Sequence, residues 1–290
     1  MSIIDKSPAL IFTDLDGSLL DHDSYSFAPA ALLLNHLEME YIPVIPTTSK
    51  TFAEVERLRI KLNNHHPFII ENGAAIAIPI NYFPSMPKGC YEKSGFWIVA
   101  NSQPRHHWNA LLEENSQDFK GEFETFSSIY AAKGAKGIQE ITGLSLDQAE
   151  LSNQRDFSEP IHWVGSEPRK QAFIKKLTAA GGTLLQGGRF LALGGQVDKG
   201  SALLQLTKLY QQFNSFAEFH TLAIGDSGND VSMLEAATSA IIIRSKTHAA
   251  PSLNRDKNLT KSTAFGPEGW AESVSFWLTD YLEIGSKNYG

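Results

Sequence analysis

Two separated parts of the chain alternate short apolar runs with predicted helices, and this rhythm limits the possible folds more than any other feature. The runs occupy Ala9–Thr13, 42–46 and 67–70 in the first part, and 221–224 and 240–243 in the last part. Continuous apolar runs of this length are typical of parallel strands that are buried on both faces. Their alternation with helices predicts an α/β fold with a doubly wound parallel sheet.

The rhythm changes in the middle of the chain. Between about residues 84 and 195, aromatic and glycine residues are more frequent, and residues 74–78 and 161–164 have the pattern of strands from another sheet. We therefore expect residues 1–84 and 195–290 to form one α/β core, with a smaller α+β domain of residues 85–194 inserted in it.

Two short patterns predict where helices begin. Residues 51–54 and 145–148 each place a hydroxyl residue three positions before Glu or Gln, which is the pattern of a capping box. One predicted helix lies in the first part of the chain and the other in the inserted part.

Charge and cysteine content argue against several classes of protein. The chain has 290 residues and a net charge of −7, and this acidic balance is unsuited to binding nucleic acid. Cys90 is the single cysteine, so no disulfide within the chain is possible. Residues 1–9 have no basic patch followed by an apolar run, and no stretch reaches the length of a membrane span. We expect a cytoplasmic protein with no membrane contact; the sequence does not predict its oligomeric state.

Asp14 and Asp16 directly follow the first apolar run, in the sequence Asp14-Leu15-Asp16-Gly17. Two carboxylates at the end of a buried strand are costly unless a cation or a proton is present. Such a pair suits Mg²⁺, and it also suits a nucleophile beside a general acid. The alternative is a solvated Asp-Gly turn.

Three more polar clusters follow predicted strands or precede a predicted helix. Thr48 and Lys50 come after the second run, where a hydroxyl and free N–H groups can bind a phosphoryl oxygen. Lys199 precedes a predicted helix and could neutralise phosphoryl charge, and residues 225–230 (GDSGND) bring further acids to a strand end. The alternative for the Thr48 loop is helix capping, the alternative for residues 225–230 is a turn at the start of a helix, and the alternative for Lys199 is a surface lysine. Because ligands bind at the carboxyl ends of parallel strands, we expect the four clusters to converge.

The order DLDG, TTSK, DKG and GDSGND resembles the haloacid-dehalogenase superfamily of phosphatases and phosphotransferases. This resemblance implies a Rossmann-like core. About 150 residues separate Thr48 from Lys199, which is more than a compact domain needs. In this superfamily an insert at that point is the type-two cap, which is found in sugar-phosphate phosphatases.

A narrower resemblance is to the mannosyl-3-phosphoglycerate phosphatases. The segment GDSGND departs from the GDGPND that we expect in that family and is commoner among general sugar phosphatases, which leaves the substrate open. The segments that carry the resemblance are TDLDGSLLDHDSY (13–25), TSKT (48–51), ENGAAI (71–76), ITGLS (141–145), RDFSEP (155–160), GGRF (187–190) and GPEGW (266–270).

The resemblance implies catalytic roles for five residues. Asp14 would attack phosphorus and form an aspartyl phosphate. Asp16 would protonate the leaving group and later deprotonate water, and its carbonyl would join Asp14 and Asp226 around Mg²⁺. Thr48 and Lys199 would hold the phosphoryl oxygens.

The remaining expected site residues surround this centre. An arginine fork matches the carboxylate of a phosphoglycerate, so two arginines of the insert are candidates; a surface ion pair is the alternative for each. The set consists of Asn229 and Asp230 behind the metal, Lys50, Glu71, Asn72 and Gly73 near phosphate or sugar, and Arg155 and Arg189 in the insert.

The expected activity is hydrolysis of a phosphorylated sugar or glycosyl-phosphoglycerate, a step in the synthesis of a compatible solute. Sucrose phosphate or a broad range of sugar phosphates is the alternative substrate. A mutase ranks lower, since nothing in the sequence would exclude water. A non-catalytic binding module ranks last, because Asp14, Asp16, Lys199 and Asp226 are all present.

Overall fold

The structure is a computed structural model that describes residues 8–187, 189–216 and 218–287. Most of the N-terminal segment used for the signal-peptide expectation, and Gly188 of the GGRF segment, lie outside these residues. The strands are β1 (Ala9–Thr13), β2 (Val44–Pro46), β3 (Phe68–Ile70), β4 (Ala75–Pro79), β5 (Tyr91–Lys93), β6 (Phe96–Ala100), β7 (Phe123–Thr125), β8 (Glu159–Trp163), β9 (Thr183–Gly187), β10 (Phe190–Gly194), β11 (His220–Gly225), β12 (Ser239–Arg244) and β13 (Leu259–Phe265). The α-helices are α1 (Ala31–Met39), α2 (Phe52–Leu62), α3 (Arg105–Asn115), α4 (Phe126–Lys133), α5 (Ala135–Thr142), α6 (Leu146–Asn153), α7 (Glu167–Ala179), α8 (Lys199–Phe213), α9 (Val231–Ala236) and α10 (Gly266–Lys287).

A five-stranded sheet in the order β13-β12-β11-β1-β2 forms the core, and each of its strand pairs is parallel. Alternate residues of β1 point to opposite faces of the sheet. Ile11 packs in one buried cluster with Trp270 of α10, whereas Phe12 packs in another with Leu203 of α8. Helices therefore cover both faces, and the predicted doubly wound parallel sheet is confirmed.

A second, antiparallel sheet in the order β3-β4-β6-β5 lies beside the core sheet. The prediction that residues 67–70 form a further strand of the parallel sheet is wrong, because the tight turn Glu71–Gly73 sends the chain back as a hairpin. A single parallel bridge from Thr47 to Ile69 links the two sheets. β5 and β6 follow the expected boundary at residue 84, so this sheet extends the core as far as Ala100.

A third sheet, in the order β7-β8-β10-β9, belongs to the inserted part of the chain and is antiparallel. One face packs on α3 and α7 through Trp108, Phe173 and Leu191. Phe190 of β10 packs instead against Phe126 of α4, with 5.4 Å between ring centroids. The two segments expected in another sheet thus lie in two different sheets, β4 in the second and β8 in the third.

Within the described residues, no helix combines the length and apolar character that a membrane crossing requires.

Candidate active site

Asp14 directly follows the carboxyl end of β1, which lies between β11 and β2 in the core sheet. Its N–H donates to the Ile224 carbonyl of β11 at 2.8 Å. Its own carbonyl accepts from the Thr13 hydroxyl at 2.8 Å, and that hydroxyl accepts from Trp270 Nε1 at 3.0 Å. The backbone at Asp14 is therefore fixed by the neighbouring strand and by α10, which gives its carboxylate a defined direction.

Lys199 is the first residue of α8, and it is completely buried. Its Nζ lies 2.6 Å from Asp14 Oδ1 and 2.6 Å from Asp230 Oδ1. Burial lowers the pKa of this ammonium, but the two carboxylates outweigh burial and raise it above its ordinary value. Lys199 is thus a charged group inside the site, and the alternative of a surface lysine is wrong.

Asp226 and Asp230 follow β11, beside Asp14. Single carboxylate oxygens of Asp14, Asp226 and Asp230 lie within 4.8 Å of one another. Gly17 approaches this group closely: it has φ +79°, and a Cβ at this position would lie 2.5 Å from Asp226 Oδ2. Any larger residue at position 17 would therefore fill the space beside the acids.

Asp230 already has protein partners for both carboxylate oxygens. Oδ1 accepts from Lys199, and Oδ2 accepts from the backbone N–H groups of Asp226 and Ser227, each at 3.0 Å. Asp14 and Asp226 each have a side-chain contact at one carboxylate oxygen, with Lys199 and His248 respectively, so they keep more acceptor capacity than Asp230. The expected division between metal-holding acids and an acid behind them stays a prediction.

Burial and the charges of neighbouring acids raise the pKa of both Asp14 and Asp226. Burial raises the pKa of Asp14 well above its ordinary value; Lys199 opposes this, and Asp230, Asp226 and Asp16 add to it. Burial, followed by the charge of Asp230, raises the pKa of Asp226 to about 6. A divalent cation would relieve both penalties, and carboxylate oxygens are the ligands that hard cations prefer. The donor set therefore fits a divalent cation.

Thr48 and Lys50 lie in the loop after β2, and Lys50 contacts one of the acids. The Thr48 side chain is buried, and its hydroxyl accepts from the Lys50 N–H at 3.2 Å. Lys50 Nζ lies 2.7 Å from Asp16 Oδ2 and 3.9 Å from Glu54. Asp16 Oδ1 is buried and has no hydrogen-bond partner within the described residues. Lys50 thus contacts the expected general acid.

Glu71, Asn72 and Gly73 form the turn between β3 and β4, and their side chains and backbone contact other parts of the protein. The carboxylate of Glu71 accepts hydrogen bonds from the segment 156–158. Asn72 Oδ1 accepts from Asn229 Nδ2 at 3.1 Å. These contacts place the turn at the edge of the catalytic loops, and a role for it in substrate binding stays a prediction.

The two candidate arginines of the insert have different surroundings. Arg155 Nη1 donates to the Ser49 carbonyl and to the Ser158 hydroxyl, each at 3.2 Å, and its Nε is buried without a partner in the described part of the chain. Arg189 is exposed and donates to the Thr142 carbonyl at 2.6 Å. Arg155 is therefore next to the Thr48 loop, whereas Arg189 contacts the end of α5.

His248 is a neighbour of the acids that the sequence analysis missed. Its Nε2 lies 3.1 Å from Asp226 Oδ2. It follows β12 in a loop, KTHAAP, with no pattern that distinguishes it from an ordinary surface histidine. Nothing short of the folded arrangement of β11 and β12 could have predicted this contact.

Comparisons with known proteins agree with this geometry. A model of the haloacid dehalogenase-like hydrolase family matches residues 167–262. A protein from Methanococcoides burtonii is 33% identical over 265 residues, which are 91% of this chain and 95% of the relative. A protein from Persephonella marina is 32% identical over 267 residues, with coverage of 91% and 95%. Both are named glucosyl-3-phosphoglycerate/mannosyl-3-phosphoglycerate phosphatase.

Solved structures share the fold over nearly the whole chain. A phosphatase of the haloalkanoate enzyme superfamily from Bacteroides thetaiotaomicron has a TM-score of 0.63 at 15% identity and covers 95% of this chain and 97% of its own. The sucrose-phosphatase from Synechocystis sp. PCC6803, solved with sucrose and phosphate, has a TM-score of 0.54 at 15% identity, with coverage of 94% and 98%. Since the identity with the two named phosphatases is above 30% over most of the chain, the protein is a phosphatase that belongs to the glucosyl-3-phosphoglycerate/mannosyl-3-phosphoglycerate phosphatase family of haloacid dehalogenase-like hydrolases.

Proposed function

We propose that this enzyme removes the phosphate group from a glycosyl-3-phosphoglycerate, with Mg²⁺ as cofactor. The names of the two full-length relatives support the substrate. The observation that carries the chemistry is the buried Lys199, whose Nζ lies 2.6 Å from both Asp14 and Asp230. A phosphoryl group bound to Asp14 would lie beside the Lys199 ammonium, which would neutralise part of its negative charge. Charge neutralisation is the main requirement of phosphoryl transfer.

The reaction has two steps on Asp14. In the first, an Asp14 carboxylate oxygen forms a bond to phosphorus, the bond from phosphorus to the substrate oxygen breaks, and Asp16 gives its proton to that oxygen. In the second, Asp16 takes a proton from water, the water oxygen attacks phosphorus, and Asp14 leaves as a carboxylate with inorganic phosphate as product. Thr48 and Lys199 hold the non-bridging oxygens throughout.

Asp14 and Asp226, with the carbonyl of Asp16, would hold the Mg²⁺, and Asn229 and Asp230 would support them. The bound ion would neutralise charge on the phosphoryl oxygens and on the two acids. Gly17 leaves room for this arrangement beside Asp226.

The inserted part of the chain, residues 101–194, acts as the cap that selects the substrate. Its Arg155 lies beside the Thr48 loop and can pair with the carboxylate of the glycerate. Lys50 can turn from Asp16 to a substrate oxygen. Arg189 is exposed, and we assign it a contact with the sugar end of the substrate.

The test of the chemistry is Asp14→Asn, with the exposed Asp256→Asn as control. Because Asn cannot form the aspartyl phosphate, kcat/KM for p-nitrophenyl phosphate in Mg²⁺ buffer should fall by about a thousandfold or more, while Asp256→Asn keeps the activity. Retention of most activity in Asp14→Asn would overturn the assigned nucleophile.

The test of the substrate is a comparison of kcat/KM for four esters with the unaltered enzyme. Mannosyl- and glucosyl-3-phosphoglycerate should exceed sucrose phosphate and p-nitrophenyl phosphate by about a hundredfold, since only the first two carry the glycerate carboxylate. Similar values for all four esters would contradict the narrow assignment and favour a broad-range sugar phosphatase.

A further inference from the structure

The turn Glu71–Gly73 has an unusual backbone conformation. Glu71, Asn72 and Gly73 have φ values of +47°, +59° and +97°. Left-handed conformation is disfavoured for residues with a Cβ, and a residue such as Glu adopts it only where the surroundings enforce it. Two such residues in succession require contacts that compensate for the strain.

The contacts of Glu71 come from the cap. Its side chain is buried, and its carboxylate accepts from the N–H of Asp156 at 2.8 Å, the N–H of Phe157 at 3.3 Å and the hydroxyl of Ser158 at 2.5 Å. Arg155 Nη1 lies 3.8 Å from the same carboxylate. Three donors leave the two oxygens little capacity for a substrate, so their partner is the cap segment 155–158.

The other side of the turn contacts three of the four catalytic loops. The Asn72 N–H donates to the Thr48 carbonyl at 2.9 Å, and Asn72 Oδ1 accepts from Asn229. A Cβ on Gly73 would lie 2.2 Å from the carbonyl oxygen of Asp198, the residue before Lys199. The turn is therefore packed between the cap segment and the loops that position Thr48, Lys199 and the acids after β11.

The segment 155–158 has further contacts with the core. Lys93 of β5 lies 2.5 Å from the Asp156 carboxylate, and Arg155 donates to the Ser49 carbonyl. Lys93 and Asp156 are both about one-third exposed, and exposed ion pairs contribute little. The buried contact is the one made by Glu71, where a lost acceptor would leave donors unsatisfied.

We propose that Glu71 is a positioning residue: its carboxylate holds the cap segment 155–158 against the catalytic loops, and thereby fixes Arg155 where it meets the leaving group of the substrate. This rests on the proposed function, because it concerns how the cap binds a glycosyl-phosphoglycerate. Glu71 itself makes no contact with the reacting atoms. Its effect should therefore be large for substrates that need the cap and small for esters that do not.

The test is Glu71→Gln, which keeps the size of the side chain but presents an amide N–H₂ to the cap donors. Hydrogen exchange of the Asp156 and Phe157 amides should become about tenfold faster or more. kcat/KM for mannosyl-3-phosphoglycerate should fall by about tenfold to a hundredfold, mainly through KM, so that its ratio to kcat/KM for p-nitrophenyl phosphate falls as well.

Two variants of the same cap segment serve as comparisons. Ser158→Ala removes one of the three donors to Glu71 and also the hydroxyl that accepts from Arg155. Both readouts should change in the same direction; amide exchange, which should accelerate by a smaller factor than in Glu71→Gln, is the readout that reports on Glu71. Asp156→Asn keeps the backbone donor; it loses the exposed pair with Lys93 and the repulsion between the Asp156 and Glu71 carboxylates, so it should not accelerate exchange of the two amides.

Three outcomes would overturn the positioning role. They are unchanged exchange of the two amides in Glu71→Gln, an equal loss on both esters together with a lower Tm, and no response to Ser158→Ala. The exchange readout involves no substrate. If the unaltered enzyme hydrolysed p-nitrophenyl phosphate but no glycosyl-phosphoglycerate, the proposed function would fail while the exchange result still decided the contact.

Discussion

Single residues at this site are determined by space as well as by charge. Gly17 illustrates this, because its φ of +79° and the 2.5 Å from its absent Cβ to Asp226 Oδ2 are two separate reasons for glycine. The sequence motif places glycine beside the acids, but only the folded structure shows that the acid in question belongs to a loop about 200 residues later.

The two reasons can be separated by comparing Gly17→Ala with Gly121→Ala. Gly121 has φ +82° and nothing within 4 Å of an added Cβ, so its variant should lose only about 1–2 kcal/mol of unfolding free energy and keep full activity. Gly17→Ala has the same backbone strain and a clash in addition. We expect it to lose more stability and nearly all phosphatase activity.

Urea unfolding and kcat/KM for p-nitrophenyl phosphate measure the two effects. Equal behaviour of Gly17→Ala and Gly121→Ala in both measurements would show that the space beside Asp226 is unimportant. Loss of activity in Gly121→Ala would also contradict the separation, since this glycine lies in the cap and away from the acids.

At the scale of elements, the sequence predicted features that depend on adjacent residues better than it predicted which strands pair. The capping boxes at Thr51 and Ser145 are both confirmed, because each involves only four adjacent residues. The strand at residues 67–70 was correctly located, but its sheet was wrong. Its partner depends on the turn at Glu71–Gly73, which has a left-handed conformation and contacts the distant segment 156–158. β13 and His248 gave no comparable local signal.

A hydrogen-bonded network joins α1 and α8 through two loop residues, His66 and Tyr82. Glu38 of α1 lies 2.8 Å from His66 Nε2, His66 Nδ1 lies 2.8 Å from the Tyr82 hydroxyl, and that hydroxyl lies 2.7 Å from the hydroxyl of Tyr210 in α8. A neutral His66 with its proton on Nε2 donates to Glu38 and accepts from Tyr82. Protonation of His66 would force Tyr82 to reverse its hydrogen bond.

The hydrogen bonds of His66 predict how the unfolding free energy of the protein depends on pH. Burial lowers the pKa of His66 below its ordinary value near 6.5, against the opposing charge of Glu38. Below pH 6.5 the unfolded chain therefore binds more protons than the folded one, so the unfolding free energy should rise with pH up to about 6.5 and then level off. The slope from this group is at most about 1.4 kcal/mol per pH unit.

His66→Gln and the exposed neighbour His65→Gln provide the matched comparison. Urea unfolding between pH 5 and 8 should show a flatter rise for His66→Gln, since glutamine does not titrate. The rise for His65→Gln should stay close to that of the unaltered protein, because the charge of His65 is the smallest of the causes that act on the pKa of His66. If the profile for His66→Gln were parallel to that of the unaltered protein, His66 and its hydrogen bonds would not be the source of the pH dependence.

At the scale of the whole molecule, the site exists only because distant parts of the chain are folded together. Asp14, Lys199, Asp226 and Asp230 arrive from β1, α8 and the loop after β11, and the parallel pairing of β1 with β11 sets their spacing. The sequence predicted this convergence, because polar residues at the carboxyl ends of parallel strands share one edge of a sheet. It did not predict how the cap contacts that edge, since the contact by Glu71 follows from no motif spacing.

The same convergence, together with the proposed Mg²⁺ site, predicts that the stability of the whole fold depends on Mg²⁺. An ion held by Asp14 and Asp226 binds the folded chain and not the unfolded one, so at a hundred times its Kd it should add about 2.7 kcal/mol to the unfolding free energy. Asp226→Asn should abolish this increase. Without Mg²⁺ the same variant should be at least as stable as the unaltered protein, because burial and Asp230 destabilise the Asp226 carboxylate.

Thermal unfolding with EDTA and with increasing MgCl₂ measures both effects, and Asp256→Asn controls for the loss of an exposed aspartate elsewhere. The unaltered protein and Asp256→Asn should gain in Tm as Mg²⁺ is added, whereas Asp226→Asn should not. An equal gain in all three proteins would mean that the ion binds elsewhere, and the shared site of Asp14 and Asp226 would then be wrong. A lower Tm of Asp226→Asn in EDTA would instead show that its carboxylate stabilises the ion-free fold, contrary to the repulsion that its raised pKa indicates.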